Sequence, residues 1–532
     1  MFLDEKKSQV KVDKWPLEDI ARALSLKGIS SNAYKYLRKQ WKLPLPAEST
    51  LNRYIKNINC EPGILNCVLR LMSEKASEFA PPQRIVAVSF DEMSIEKRYS
   101  YDRSSDTVYG PHSKVQVLFI RGVCSSFQQP IFYDFDKEMT PALLLQIISA
   151  IESTGFMVFS MVCDMAGGNR GLLRKLGVTL DQNFITNPHD PSRRISVFAD
   201  PPHLLKLVRN NLLDHPIHTE EGTVTSHPIR DLIQDQSGDL KIAYKISEAI
   251  LKVKGYERQN VKSAANLLSE SVGTAIDFLG RKGAIPSPNW QETSNFILCV
   301  DKWFDIMNSS HFHDKPSRSP FSLNSYQKEV LENTIQLMHS SRVGKFKSLL
   351  PFQMGIILAC KSVMTLFSDL KKLFNLDYLF TRRLNQDVAE HYFGVVRQMG
   401  SLHTHMDCVA FKYRLRSTLV SKRNILVSVN PNTKLAEEIP SIASNLTKLN
   451  TLSSPIKKEE VTIEVSEEKV LTASIIDSIE PPEKPCCNEA FVNIIPESEK
   501  YAMSYFHGYV ASKFSKKYPD IAADNSRQAD DD

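Results

Sequence analysis

Several absences narrow the possibilities before any motif is read. The 532-residue sequence contains no C-x2-C pair among its nine cysteines, a scattered set (Cys60, Cys67, Cys124, Cys163, Cys299, Cys360, Cys408, Cys486 and Cys487) flanked mostly by apolar residues. This argues against a cysteine-based structural zinc site and for reduced thiols in apolar cores. The opening MFLDEKKSQVKVDKW lacks the apolar segment of a secretory signal, and no stretch approaches the ~20 apolar residues of a membrane helix, so a soluble intracellular chain with no membrane partner is expected. Charge of one sign is also scarce. The 66 Lys and Arg against 61 Asp and Glu leave +5, which permits nucleic-acid binding without arguing for it. There is no internal repeat. The G-x4-G-K-[ST] spacing of a P-loop is missing too, which removes a nucleotide-loop reading of GGNRG at 167–171.

What is present divides the chain. Single cores stop growing at roughly 250–300 residues, so several domains are expected. After a flexible 1–14, residues 15–60 read as helix, turn, helix, proline break, helix: WPLEDIARALSLKG, SSNAYKYLRKQWK and AESTLNRYIKNI. Lys35, Arg38, Lys39, Lys42, Arg53 and Lys56 gather on the second and third helices, where a helix-turn-helix module meets DNA phosphates. The bland alternative is the solvated face of a small bundle.

From Arg84 the period changes to that of strands. RIVAVSFDEMS, KVQVLFIRGV and QPIFYDF are followed by the helix TPALLLQIISAIESTG, the strand FMVFSMVCD, the helix NRGLLRKLG, the strand ISVFAD and the helix PPHLLKLVRNNLL. Three strands, then helix, strand, helix, strand, helix, is the order of an RNase H-like α/β fold, expected over 80–224. Residues 225–385 read as an all-α domain, and 386–430 return to the core with VAEHYFGVVRQM. Polar, charged 431–485 reads as a linker, and 486–532 as a short helical piece with a disordered tail. The expected fold is therefore an RNase H-like core interrupted by an all-α insertion and preceded by a helix-turn-helix module.

Three acids stand where elements meet polar turns: Asp91, Asp164 and Glu390. Alternation puts Met161 and Cys163 on one sheet face and Val162 and Asp164 on the other, and the small Ala166-Gly167-Gly168 leaves room for a phosphate backbone. Alone, Asp91 is more often a cap or turn residue and Glu390 an incidental acid on an amphipathic surface helix, but three carboxylates brought together can hold two Mg2+ ions. Asp387 and Glu390 share a helix face at i, i+3. Asp200, between a strand and Pro201, reads first as a helix cap. FKYRLRSTLVSKR interleaves Lys412, Arg414 and Arg416 with aromatics, a DNA-backbone pattern whose competitor is a solvated helix face. His403 and His405 lack a third ligand and read as loop residues.

Taken together, LEDIARALSLKGISSNAYKYLRKQWKLPLP, VSFDEMSI, CDMAGGNRGLLRKLG, FADPPHLLKLVRNNL, WFDIMNS, NQDVAEHYFGVVRQMG and FKYRLR resemble the P-element transposase family over residues 15–425. The resemblance implies a Mg2+-dependent DDE-type cut-and-paste DNA transposase acting in the nucleus as at least a dimer, with Asp91, Asp164 and Glu390 as its catalytic, metal-holding triad. It also implies a helical insertion that binds GTP without hydrolysing it, with Lys245, Val261, Phe304, Asp305 and Asp387 near the guanine. The family's N-terminal C2CH zinc domain has no matching ligands in this chain. A fragment, a truncated gene or a domesticated protein is expected on that ground, the last being a DNA-binding protein without transposition activity.

Overall fold

The computed structural model describes residues 15–56, 58–235, 243–399 and 405–420; the expected linker and the C-terminal piece lie outside the described residues. The chain opens with helices α1 (Leu17–Ile29), α2 (Ser31–Lys39) and α3 (Glu48–Lys56). Ser30 caps α2, its Oγ accepting the Ala33 N–H at 3.1 Å. Buried Tyr34 donates its hydroxyl to the Pro46 carbonyl at 2.6 Å, and Lys27 Nζ donates to Asn52 Oδ1 at 2.7 Å, which ties the three helices together. Ile20, Leu24, Tyr34 and Leu51 share one apolar core with a face of the main sheet, so this trio is packed onto the sheet.

There follow β1 (Gly63–Ile64), α4 (Asn66–Glu78), β2 (Ile85–Ser94), the hairpin β3 (Ser100–Asp102) and β4 (Thr107–Tyr109), β5 (Lys114–Gly122), β6 (Gln128–Phe135), α5 (Pro141–Glu152), β7 (Met157–Cys163), α6 (Gly167–Lys175), β8 (Phe184–Thr186), β9 (Arg194–Ala199) and α7 (Pro201–Asp214). Seven of these strands make one sheet in the order β1-β6-β5-β2-β7-β9-β8. β2, β5 and β6 pair antiparallel, as short connections allow, whereas β2, β7 and β9 are parallel and joined by helical crossovers. Period-two alternation sorts the strands: Val86, Val88 and Phe90 of β2 enter one core with α5, and Ile85 and Ala87 enter the other with α7. The edge strands β1 and β8 and the β3–β4 hairpin are too short to show a period in the sequence.

Beyond α7 come β10 (Ile217–His218), β11 (Thr223–Val224), α8 (His227–Asp235), α9 (Glu248–Leu251), α10 (Val261–Leu267), α11 (Glu270–Arg281), α12 (Trp290–Met307), α13 (Ser325–Ser340), β12 (Arg342–Val343) and α14 (Pro351–Phe374). The all-α expectation for 225–385 needs a correction, because β12 joins β10 and β11 in a small three-stranded sheet. A second difference concerns α14, long and apolar enough by composition to cross a membrane. It lies on the second face of the main sheet, in the core formed with β9 and α7. Ser362 donates its hydroxyl to the Val197 carbonyl at 2.5 Å, and a Cβ at Gly355 would come within 2.5 Å of Leu204. An apolar helix has the same pattern whether it packs on helices or on a sheet.

Two helices close the described chain, α15 (Asp387–Gln398) and α16 (Cys408–Val420). Tyr392 of α15 packs edge-on against Phe119 of β5 at 4.9 Å between ring centroids, and Phe411 of α16 lies tilted against Tyr133 of β6 at 5.4 Å. Of the cysteines, Cys60, Cys163, Cys360 and Cys408 are buried and Cys67, Cys124 and Cys299 partly so, all as free thiols.

Candidate active site

Strands β2 and β7 are parallel neighbours in which Ser89 pairs with Val162. Asp91 and Asp164 each follow two residues later, so the register sets them beside one another, on strands roughly 4.8 Å apart, where β7 ends. Glu390 sits in the first turn of α15, and the start of that helix is fastened to the same strand ends through Gln386. The buried Gln386 side chain donates to the Phe90 carbonyl at 2.7 Å, and its backbone N–H donates to Asp200 Oδ1 at 2.7 Å. Asp200 also caps α7 through the His203 N–H at 3.0 Å, as its place before Pro201 predicts.

The electrostatics show that the acids sense one another. Burial pushes the Asp91 carboxyl up to about 6; the Glu92 N–H and His203 oppose this, and the charges of Asp164 and Glu390 add to it. Burial likewise raises Glu390, against the pull of His203 and Lys206. His203 would be lowered by burial, but its bond to Asp200 and the charge of Glu390 leave it raised. Its Nδ1 stands 2.8 Å from Asp200 Oδ2 and 3.7 Å from Glu390 Oε1. Asp91 Oδ1 accepts the Glu92 N–H at 2.8 Å, and Asp164 Oδ1 accepts from the Ala166 N–H at 2.9 Å and Asn169 Nδ2 at 2.6 Å. Among the described residues the second oxygens of Asp91 and Asp164 take no hydrogen bond, and no Lys or Arg pairs with any of the three acids. Nor do three His, Cys, Asp or Glu side chains stand close enough together, among those residues, to share one ion in this conformation.

Sequence reasoning missed His203 and Gln386 as parts of this centre. The available signal was Asp200 and His203 at i, i+3 across a helix start, and a polar Asn385-Gln386 pair just before Glu390's helix.

The other expected site residues fall in several places. Phe304 and Asp305 lie near the end of α12, which is joined to the segment entering α15 where the Ser309 N–H meets Thr381 Oγ1 at 3.0 Å; Asp387 begins that helix. Asp305 is already engaged by Lys315 Nζ at 2.9 Å, Ser317 Oγ at 3.0 Å and Arg318 Nε at 3.0 Å, and Asp387 by Arg382 Nε at 3.1 Å. Lys245 is exposed with its Nζ 5.6 Å from the Tyr244 ring centre, and Val261 opens α10. Arg38, Lys39, Lys42 and Arg53 are exposed, with Tyr36 and Trp41 showing 45% and 62% of their surface among them.

The basic stretch of α16 is different, and the expected DNA contacts of Lys412 and Arg416 need correction. Lys412 is fully buried, with its Nζ 2.7 Å from Asp102 Oδ2 and also bonded to Glu61. Arg416 is buried over the Tyr413 ring at 5.4 Å, while half-buried Arg414 donates to the Val396 carbonyl at 2.9 Å. A buried ion pair satisfies Lys412 inside the fold, where no phosphate reaches it, and Arg416 is sequestered by burial, with its Nε unpartnered. His405 is exposed, and His403 lies outside the described residues.

Comparison with known proteins follows the same lines. Residues 60–177 match the family model described as TNP-like, RNase H N-terminal domain, and residues 202–320 the one described as TNP-like, GTP-binding insertion domain. The chain is 33% identical over 419 residues to the Drosophila melanogaster transposable element P transposase, covering 78% of this chain and 55% of that protein. It is 23% identical to human DNA transposase THAP9, covering 75% of this chain and 48% of that protein. A solved structure, the Drosophila P element transposase strand transfer complex, superposes with a TM-score of 0.72 at 32% identity, covering 76% of this chain and 91% of the solved one. These matches define a transposase-type chain with an RNase H-like domain and a GTP-binding-type insertion. It belongs to the P-element transposase family, and it spans about half the length of the curated relatives it matches.

Proposed function

We propose that this chain is a DDE-type DNA transposase that cleaves and rejoins DNA strands by in-line displacement at phosphodiesters, in a cut-and-paste reaction. The observation that carries the reading is the convergence of Asp91, Asp164 and Glu390 at adjoining element ends, with Asp91 held up to about 6 by burial and by the other two acids. Neighbouring carboxylates of which only Glu390 has a cationic neighbour, His203, gain from a further cation. Their all-oxygen donor set and open second oxygens fit Mg2+, with Asp91, Asp164 and Glu390 as the residues that would hold it. Bound there, Mg2+ would supply Lewis-acid stabilisation of the phosphate and a more acidic nucleophile.

The chain's own residues set the frame. Gln386 and Asp200 fix where the α15 turn carrying Glu390 meets the sheet, and His203 offsets the charge of Glu390. The half-exposed acids leave a phosphodiester access from solvent. Exposed Arg38, Lys39, Lys42 and Arg53, on a helix-turn-helix-like module over 15–60, are suited to DNA phosphates. In this reading the RNase H-like core comprises 80–224 and the described part of 386–430, with 225–385 as the insertion, although α14 packs on the sheet.

GTP is proposed as a cofactor that is not hydrolysed, near Phe304, Asp305 and Asp387, with Lys245 and Val261 further candidates. Carboxylates accept the N–H donors of guanine well. The fit requires Lys315 and Arg318 to release Asp305 when the base enters. DNA as substrate argues for a nuclear protein, and joining paired ends argues for at least a dimer. The test is a strand-transfer assay on the element's own terminal repeats with Mg2+ and GTP. Transfer dependent on Mg2+ is expected; binding with no strand cleavage would support the transposase-derived DNA-binding reading instead.

A further inference from the structure

One exposed surface is used by nothing described so far. Phe312, in the loop after α12, and Tyr378, in the segment between α14 and α15, are 67% and 43% exposed, yet their ring centroids lie 5.1 Å apart. Phe380 completes the group at 5.7 Å from Phe312 and 5.4 Å from Tyr378, and all three rings meet edge to face. Buried Leu379, between Tyr378 and Phe380, exchanges backbone hydrogen bonds with Phe321 at 2.9 and 2.8 Å, so the group is firmly seated. Its rings nevertheless open to solvent, which folding alone does not favour.

The surroundings are mainly cationic. The Arg383 guanidinium stands 5.9 Å from the Phe380 ring centre and donates to the Val123 carbonyl, Arg382 is paired with Asp387, and exposed Lys371 and Lys372 lie in the last turn of α14; the exposed acids on the two aromatic-bearing segments are Asp314 and Asp377. From Phe380 the chain passes through the short turn Thr381–Leu384 directly into α15, which carries Glu390.

We propose that Phe312, Tyr378 and Phe380 form a stacking platform for an unpaired DNA nucleotide flanking the phosphodiester at the acidic centre. Aromatic faces beside cations hold single strands with little sequence preference, because every base offers a π-face and every nucleotide a phosphate. Arg383 beside the Phe380 ring, with Lys371 and Lys372 in the last turn of α14, favours this occupant over an apolar protein surface. The inference rests on the DNA-cleaving reading given above.

The test uses the full chain and fluorescence anisotropy with three probes: a labelled oligothymidylate, an abasic oligonucleotide of the same length, and a blunt duplex. The wild type is expected to bind the oligothymidylate more tightly than the abasic strand. A Phe312→Ala, Tyr378→Ala double variant should lose roughly tenfold or more of that affinity, with abasic and duplex binding unchanged, and Tyr378→Phe should retain it. Should the double variant melt early, Phe312→Leu alone carries the comparison. Equal binding of thymidylate and abasic strands, or an unchanged double variant, overturns the proposal. Loss of self-association without loss of thymidylate binding overturns it too, and marks the patch as a contact between copies. Duplex binding and strand cleavage are read separately, so failure of the platform is distinguishable from failure of the transposase reading.

Discussion

Within β2 and just past the end of β7, Asp91 and Asp164 lie side by side without a Lys or Arg among the described residues to pair with. In the seam between α16 and the β3–β4 hairpin, Asp102 instead holds Lys412 at 2.7 Å, with both side chains essentially inaccessible. The two groups titrate in opposite directions. Burial raises Asp91 to about 6, and the neighbouring acids add to it. Burial would raise Asp102 as well, but hydrogen bonds from Lys412, Ser104 and Tyr413 hold it well below the usual carboxylate range. Glu61 is lowered too, its own burial outweighed by hydrogen bonds from Lys412 and Tyr109. The second group is complete in itself and serves the fold. The first has no Lys or Arg of its own among the described residues, and in the proposed reading an outside cation completes it.

Removing a partner from the complete group should have the largest effect on stability. Lys412→Met leaves Asp102 buried and unpaired, and urea denaturation should show a loss of about 3–5 kcal/mol. A loss under about 1 kcal/mol, the range of an exposed pair, would erase the distinction between the groups. The open group should respond in the other direction. Without metal, Asp91→Asn should be no less stable than wild type at neutral pH, because ionising Asp91 costs stability as pH rises from about 4 through about 6. Adding Mg2+ at a hundredfold excess over its Kd should stabilise wild type by about 2.7 kcal/mol, with little gain in Asp91→Asn, as thermal denaturation can measure.

Acid titration separates the groups again. The contribution of Asp102 is fully present above its unfolded value near 3.9 and is lost as pH falls through its depressed folded value. Wild-type stability should therefore drop as pH falls below about 4, with a shallower slope in Lys412→Met. The smallest effect concerns cations at the surface. Arg38→Ala with Lys39→Ala and Lys42→Ala should weaken duplex binding and reduce the salt slope by roughly 0.9 for each phosphate that is no longer neutralised, leaving stability nearly unchanged. Were Arg416→Ala to change that slope equally while keeping the fold, burial would be the wrong criterion for sorting these residues.

The longer strands and helices of the core were legible in the sequence because each signal was local. IVAVSF is apolar and β-branched and ends at Asp91; Asp200 before Pro201 is a cap and proves to be one. What it hid depends on tertiary pairing. Helical spacing cannot tell whether Lys412 faces a phosphate or Asp102, residues that lie far apart in the chain. It cannot say whether α14 packs on the insertion or on β9. The approach of His203 to Glu390 is equally invisible, since neither residue's neighbours announce the other.

Strand cleavage by single isosteric variants probes the central claim most directly. In a Mg2+-dependent assay on the terminal-repeat DNA, Asp91→Asn and Glu390→Gln should each abolish cleavage, while anisotropy shows duplex affinity nearly unchanged and melting shows an intact fold. Undiminished cleavage by either variant would contradict the assignment of Asp91, Asp164 and Glu390 as the catalytic centre.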